Sequence, residues 1–154
     1  MDAEPVRRVV NASVERVGEV LSNGWLYASW VVGASRIRGV DKEWPKAGSS
    51  IAHSVGLWPL LLSDTTTSLV ESLPHRLELR ARAWPAGEGR VVITAEPADQ
   101  SNRCLVCMAE TATSGPARLV PGQIEQPLIR YRNVEALRRL AMLAENRSAG
   151  DAES

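Results

Sequence analysis

The C-terminal segment from about Gln123 to Glu145 constrains this chain more than any other stretch. Ile124, Leu128, Tyr131, Val134, Leu137, Leu140, Ala141 and Ala144 recur every three or four residues, the spacing of one apolar stripe along a helix. Arg130, Arg132, Asn133, Arg139 and Glu145 fall between them. About 23 residues make a rod of roughly 34 Å. A lone amphipathic helix must bury its stripe on something. The residues before it read mostly as short strands, so the expected partner is a curved sheet, with a cavity between the two. Tyr131, Val134, Leu137 and Leu140 step by three, short of a helical turn, so the apolar face rotates along the rod. The first half is expected to roof the cavity and the second half to pack on other core. Glu135 and Arg138 lie close to where the first stripe would continue; the alternative for them is a solvated pair three apart.

A chain of 154 residues makes one domain, expected over residues 1–146, with residues 147–154 a small, polar, flexible tail. Eighteen basic residues balance eighteen acidic ones, which argues against nucleic acid and against an anionic membrane surface as partners. No apolar run approaches the length of a spanning helix, and Met1-Asp2-Ala3-Glu4 is no basic and apolar leader, so a cytoplasmic protein is expected, as a monomer or weak homodimer. Cys104 and Cys107 form a C-x-x-C within a strand-like run. Residues three apart on a strand point to opposite faces, so these two are expected to pack as small apolar residues and to share neither a metal nor a disulfide.

Val6 to Asn11 reads as a first strand, and Ser13 as the N-cap of a helix over Val14–Leu21 whose buried face holds Val14, Val17, Gly18 and Leu21. A second short helix, Trp25 to Val32, carries three of the chain's seven aromatics and is expected to plug one end of the fold. Strands follow over Ser35–Val40, Ser49–Val55, Asp64–Val70, His75–Ala83, the run through Val91, Ile93 and Ala95, and Arg103 to Thr111. In His75–Ala83, Leu77, Leu79, Ala81 and Ala83 alternate with Arg76, Glu78, Arg80 and Arg82, the pattern of a sheet covered on one face. The fold class is α+β: a curved antiparallel sheet of six to seven strands wrapped around a long C-terminal helix, with two short helices after the first strand.

That order resembles the START/Bet v 1-like helix-grip fold of the SRPBCC superfamily, and within it the bacterial polyketide cyclase/dehydrase-type branch. The matching residues are Asn11-Ala12-Ser13-Val14-Glu15-Arg16-Val17, Trp30-Val31, Ser54-Val55-Gly56-Leu57-Trp58-Pro59, Arg82-Ala83-Trp84-Pro85, Gly115-Pro116 and Asn133-Val134-Glu135-Ala136-Leu137-Arg138-Arg139-Leu140. The resemblance implies a cavity under the long helix that takes lipids, sterols or polyketides, with cyclisation or dehydration in a minority of members. Where members often carry a large aromatic after the position of Val17, this chain has Gly18, which implies either a larger cavity or a gap filled by Trp25.

Three residues are candidates for chemistry. His53 shares strand parity with Ile51 and Val55; there a neutral imidazole either serves as a general base or is a satisfied core histidine. His75, after Pro74, reads as a rim residue. Glu110 shares parity with Cys104, Val106 and Met108, so it is either an inward carboxylate of raised pKa or a strand-end residue reaching water. The resemblance implies an inward acid at this point. Tyr131 is the polar-tipped aromatic of the stripe, able to orient a ligand oxygen or simply to pack. Leu57-Trp58-Pro59-Leu60-Leu61-Leu62 is an apolar connection, either a docking loop or a segment folded back on the first helices.

The first reading is a binding protein for a small apolar molecule, lipid-like or aromatic polyketide-like. Its cavity would be walled by Ile51, His53, Val55, Leu79, Val91, Ile93, Val106, Met108 and Glu110 and roofed by Leu128 and Tyr131. The second is a polyketide aromatase/cyclase or dehydratase in which His53 or Glu110 moves a proton and Tyr131 holds the enolate oxygen. The third is an interaction protein acting through the Trp58 loop. No cofactor or metal is expected: phosphate loops and paired metal-ligand runs are missing from the sequence.

Overall fold

A computed structural model describes residues 4–55, 62–83, 87–99 and 102–152, with the backbone alone at Ala83 and 147–152. Strand β1 is Val6–Val10. Helix α1, Val14–Ser22, opens where the Ser13 hydroxyl accepts from the Arg16 N–H, as its N-cap position predicts. A 3-10 turn, Gly24–Leu26, leads into α2, Tyr27–Trp30. The remaining strands are β2 (Ala34–Val40), β3 (Ser50–Val55), β4 (Leu62–Ser72), β5 (Arg76–Ala83), β6 (Gly87–Pro97) and β7 (Cys104–Ser114). A second 3-10 turn, Pro116–Leu119, precedes α3, Gly122–Ala152.

The seven strands form one antiparallel sheet in the order β1-β7-β6-β5-β4-β3-β2. Consecutive strands pair as hairpins from β2 to β7, and β1 closes on β7 with Val6 opposite Met108 and Val10 opposite Cys104. The inner face follows the alternation of the sequence: Leu77, Leu79, Ile93, Ala95, Cys104, Val106 and Met108 are all buried. Cys104 is buried, Cys107 half-buried, and both are free thiols. Among the described residues no helix is long and apolar enough to cross a membrane.

Helix α3 covers this face only with its second half. Leu137, Leu140, Ala141 and Ala144 are buried against the sheet and α1, as their spacing predicts. The first half differs from expectation. Leu128 is 62% and Tyr131 72% exposed, and Ile124 and Val134 also face solvent. Past Pro127 the helix is continuous from Leu128 to Leu137, so Leu128, nine residues before Leu137, stands about 180° away from it around the rod. The drifting apolar stripe stays apolar and turns outward, while Ile129, Asn133 and Ala136 take the inner positions. The helix backbone also runs on to Ala152, beyond the point where composition predicts a tail.

The outer face of β5 departs once from alternation. Glu78 is 3% exposed and clamped between Arg76 and Arg90, which hold its carboxyl below the usual carboxylate range, Arg90 more strongly than Arg76. A depressed acid stabilises the fold above its unfolded pKa and loses that contribution as pH falls through its folded pKa. Glu78→Gln is therefore expected to flatten the acid limb of the stability curve, read as melting temperature below the ordinary carboxylate range. The Leu57–Leu61 part of the apolar connection and Trp84–Ala86 lie outside the described residues.

Candidate functional site

Two adjoining spaces, which share Ala81, Glu110 and Arg132 as lining, lie where the first half of α3 leaves the sheet. The outer one is a groove of about 240 Å³. Small residues make room for it: Ala81 on β5, Gly87 and Gly89 on β6, Ala112 on β7 and Ala117 after it. Gly87 has φ +118°, and a side chain there would run into the Ser114 carbonyl. Val120, Leu128 and Ile129 supply larger apolar wall, and Glu88, Glu110, Glu125 and Arg132 a charged rim. A side lobe of about 340 Å³ extends from Glu110 past Arg118 and Gln126.

The inner space is a void of about 40 Å³, enough for one or two waters. Trp30, Val31, Val32, Leu79, Ala81, Val91, Met108 and Ala136 make it apolar, while Tyr27, Glu110, Arg132 and Asn133 put polar groups into the same wall. Glu110 and Arg132 line both spaces and form the partition between them. Arg132 Nη2 donates to both carboxylate oxygens of Glu110, at 3.0 and 3.4 Å. The Glu110 side chain is 11% exposed and that of Arg132 48%. Burial raises the Glu110 pKa despite the guanidinium, and Glu125 pushes it the same way. An acid raised in the folded state makes the fold more stable below its ordinary pKa and less stable as pH rises through the raised one. Glu110→Gln is thus expected to leave melting temperature unchanged or higher at neutral pH, against the loss that removing a net-stabilising ion pair would cause.

A second polar group set lies behind the void. The Tyr27 hydroxyl and Thr66 Oγ1 are 2.8 Å apart, and Thr66 Oγ1 and His53 Nε2 2.9 Å. The Thr66 hydroxyl can accept from one neighbour and donate to the other, so one buried threonine serves both. The Tyr27 and His53 rings pack at 5.3 Å. Burial lowers the His53 pKa, partly offset by Asp64 and the Ser54 backbone, and His53 Nδ1 has no hydrogen-bond partner among the described residues. Burial pushes the Tyr27 phenol up to about 12.

Of the residues expected to wall a cavity, Leu79, Val91, Met108 and Glu110 reach the void and Leu128 the outer groove. Ile51, Ile93 and Val106 are wholly buried core, and His53 is buried one layer behind the void. Val55 is half-buried on β3. Tyr131 is turned to solvent, away from Glu110, and Glu110 pairs with Arg132 and not with His53. Tyr27 and Trp30 line the inner space and are themselves buried, and Leu137 belongs to the buried core. Gly18 does not enlarge it: a Cβ there would sit 2.8 Å from Pro74 Cβ, so the missing side chain lets Pro74 close on α1. Trp25 fills no gap either; it is 62% exposed beside a separate open groove with Trp44. Tyr27, Ile129, Arg132 and Asn133 line these spaces and Thr66 bonds to Tyr27 behind them, and the sequence reading named none of them as cavity lining.

No family model and no curated protein sequence matches the chain. Solved structures do. A protein from Nitrosomonas europaea is similar with a TM-score of 0.70 and 17% identity, covering 96% of this chain and 97% of its own. The ZhuI aromatase/cyclase from a Streptomyces species gives 0.70 at 15%, covering 94% of both chains. Ara h 8.0201 gives 0.69 at 7%, covering 94% of this chain and 97% of its own. These likenesses show the fold: the chain has a helix-grip fold.

Proposed function

Taking that fold as the premise, we propose that the chain binds one small apolar molecule in the groove between the first half of α3 and strands β5–β7. The observation that carries this reading is the run of alanine and glycine at Ala81, Gly87, Gly89, Ala112 and Ala117, which leaves an apolar groove of about 240 Å³ beside a carboxylate held buried against its own titration. Apolar contact supplies affinity and the few convergent polar groups fix orientation. Filling the groove is the test. Ala112→Phe is expected to weaken binding of an aromatic probe such as acetophenone at least tenfold while leaving melting temperature close to wild type, since the new ring enters open space. Equal binding by wild type and Ala112→Phe would remove the groove from the account.

One observation favours a second reading, a cyclase- or dehydratase-like enzyme. Glu110 is a buried carboxylate whose pKa is raised toward the range of a general base, and Arg132 beside it carries charge to meet an enolate oxygen. Glu110 would take the proton from a carbon next to a carbonyl, the C–H electron pair forming the C=C bond as the carbonyl π pair moves onto the oxygen. This gives Glu110 the role shared in the sequence reading with His53, and gives Arg132 that of Tyr131. Deuterium exchange into the methyl group of acetophenone, catalysed by wild type and lost in Glu110→Gln, would establish it; buffer-rate exchange with both proteins would leave binding alone.

A further inference from the structure

The void behind the groove is small, and its polar groups are unequally used. Arg132 spends only Nη2 on Glu110; its Nε and Nη1 make no hydrogen bond among the described residues. Both Glu110 oxygens, by contrast, already accept from that nitrogen. Asn133 lines the same void, is 5% exposed, and its amide has no hydrogen bond among the described residues. Among the described residues His53 Nδ1 is the one fully buried side-chain polar atom without a partner, so the Asn133 amide is reached by water, which a ligand oxygen would replace. The polar end of the site therefore has donors to spare on Arg132 and Asn133, while its carboxylate is paired with Arg132.

We infer that the ligand enters head first, with a carbonyl or carboxylate oxygen accepting from Arg132 and Asn133 at the void and its apolar body lying in the outer groove. This rests on the binding reading above and adds to it the class and orientation of the ligand: a compact apolar molecule with a hydrogen-bond acceptor at one end. Its dimensions agree, because a void of about 40 Å³ takes a head group and no more, whereas the groove of about 240 Å³ takes a ring or short chain. A ketone adds no charge. A carboxylate adds one beside Glu110, which already faces Glu125 and Arg132 on α3, Arg118 on the turn before it, Glu88 on β6 and the Tyr27 phenol on α2. An acid should therefore bind with proton uptake and tighten as pH falls, and a ketone should not.

Four probes of matched shape separate the outcomes by NMR titration: acetophenone, benzoate, ethylbenzene and benzylamine. The expected result is that acetophenone, or benzoate at lower pH, binds at least tenfold tighter than ethylbenzene, the effect of one charge-assisted hydrogen bond. Arg132→Gln and Asn133→Ala should each bring the preferred probe to within about threefold of ethylbenzene, leaving ethylbenzene itself unchanged. Arg132 is half exposed, so Arg132→Gln keeps the test available if Asn133→Ala unfolds. Equal binding of all four probes overturns the head-first inference and leaves the groove reading standing. Tightest binding by benzylamine also overturns it, since Glu110 would then be the anchor. Binding by none overturns the groove reading and this inference with it.

Discussion

Thr66→Val is expected to destabilise the protein by about 2–5 kcal/mol although it conserves volume at a fully buried site. The hydroxyl that is lost serves Tyr27 at 2.8 Å and His53 at 2.9 Å. Valine offers neither a hydrogen bond, so two buried polar groups lose their partner at once, and each costs about 1–3 kcal/mol. His53 cannot recover by ionising, because burial already lowers its pKa and its Nδ1 lacks a partner among the described residues. Thr65→Val, one residue away on the outer face of β4, makes the same chemical change at a half-buried position and is expected to stay within about 0.5 kcal/mol of wild type. Urea unfolding of the pair measures the difference. If both cost the same, the Tyr27–Thr66–His53 group is not holding this part of the core.

The second large effect separates the two halves of α3. Leu137→Ala is expected to cost about 2–5 kcal/mol, because Leu137 is 1% exposed at the centre of the contact between helix and sheet and its removal leaves a cavity. Tyr131→Ala, six residues earlier on a stripe that looks continuous in the sequence, is expected to change stability by less than about 0.5 kcal/mol. Alanine's better helix propensity offsets the little packing lost there. The same unfolding experiment reads both. A large loss from Tyr131→Ala would mean that the first half of the helix is docked and the groove shut.

These two residues also show what could be read in advance. The central strands were legible where they repeat a two-residue period against a covered face: Leu77 with Leu79, and Val106 with Met108, point inward as their alternation requires. Leu137, Leu140 and Ala144 were legible for the same reason at helical period. Glu110 was placed inward by parity and is inward. The first half of α3 was misread because its apolar residues are on the outside. Ile124, Leu128 and Tyr131 continue the stripe in sequence, while the inner positions carry Ile129, Asn133 and Ala136, of which hydrophobic patterning assigns Asn133 to solvent. A break of the pattern at a buried position is where a functional site is expected, and the break lies at the groove. Thr66 escaped for a different reason: a threonine-rich strand gives no sign of which hydroxyl meets a histidine thirteen residues away and a tyrosine on another element. The size of the cavity was not legible, because it depends on how far side chains such as Tyr27 and Trp30 reach inward, and no periodicity encodes that distance.

The most direct test of a ligand groove between α3 and β5–β7 is a methyl-labelled NMR titration with acetophenone. Saturable shifts at Leu79, Val91, Leu128 and Ile129, with Ile124 and Val134 unmoved, are the result this account predicts. Shifts confined to Ile124 and Val134 on the outer stripe, or no shift at the groove with acetophenone, benzoate, ethylbenzene or benzylamine, would contradict it.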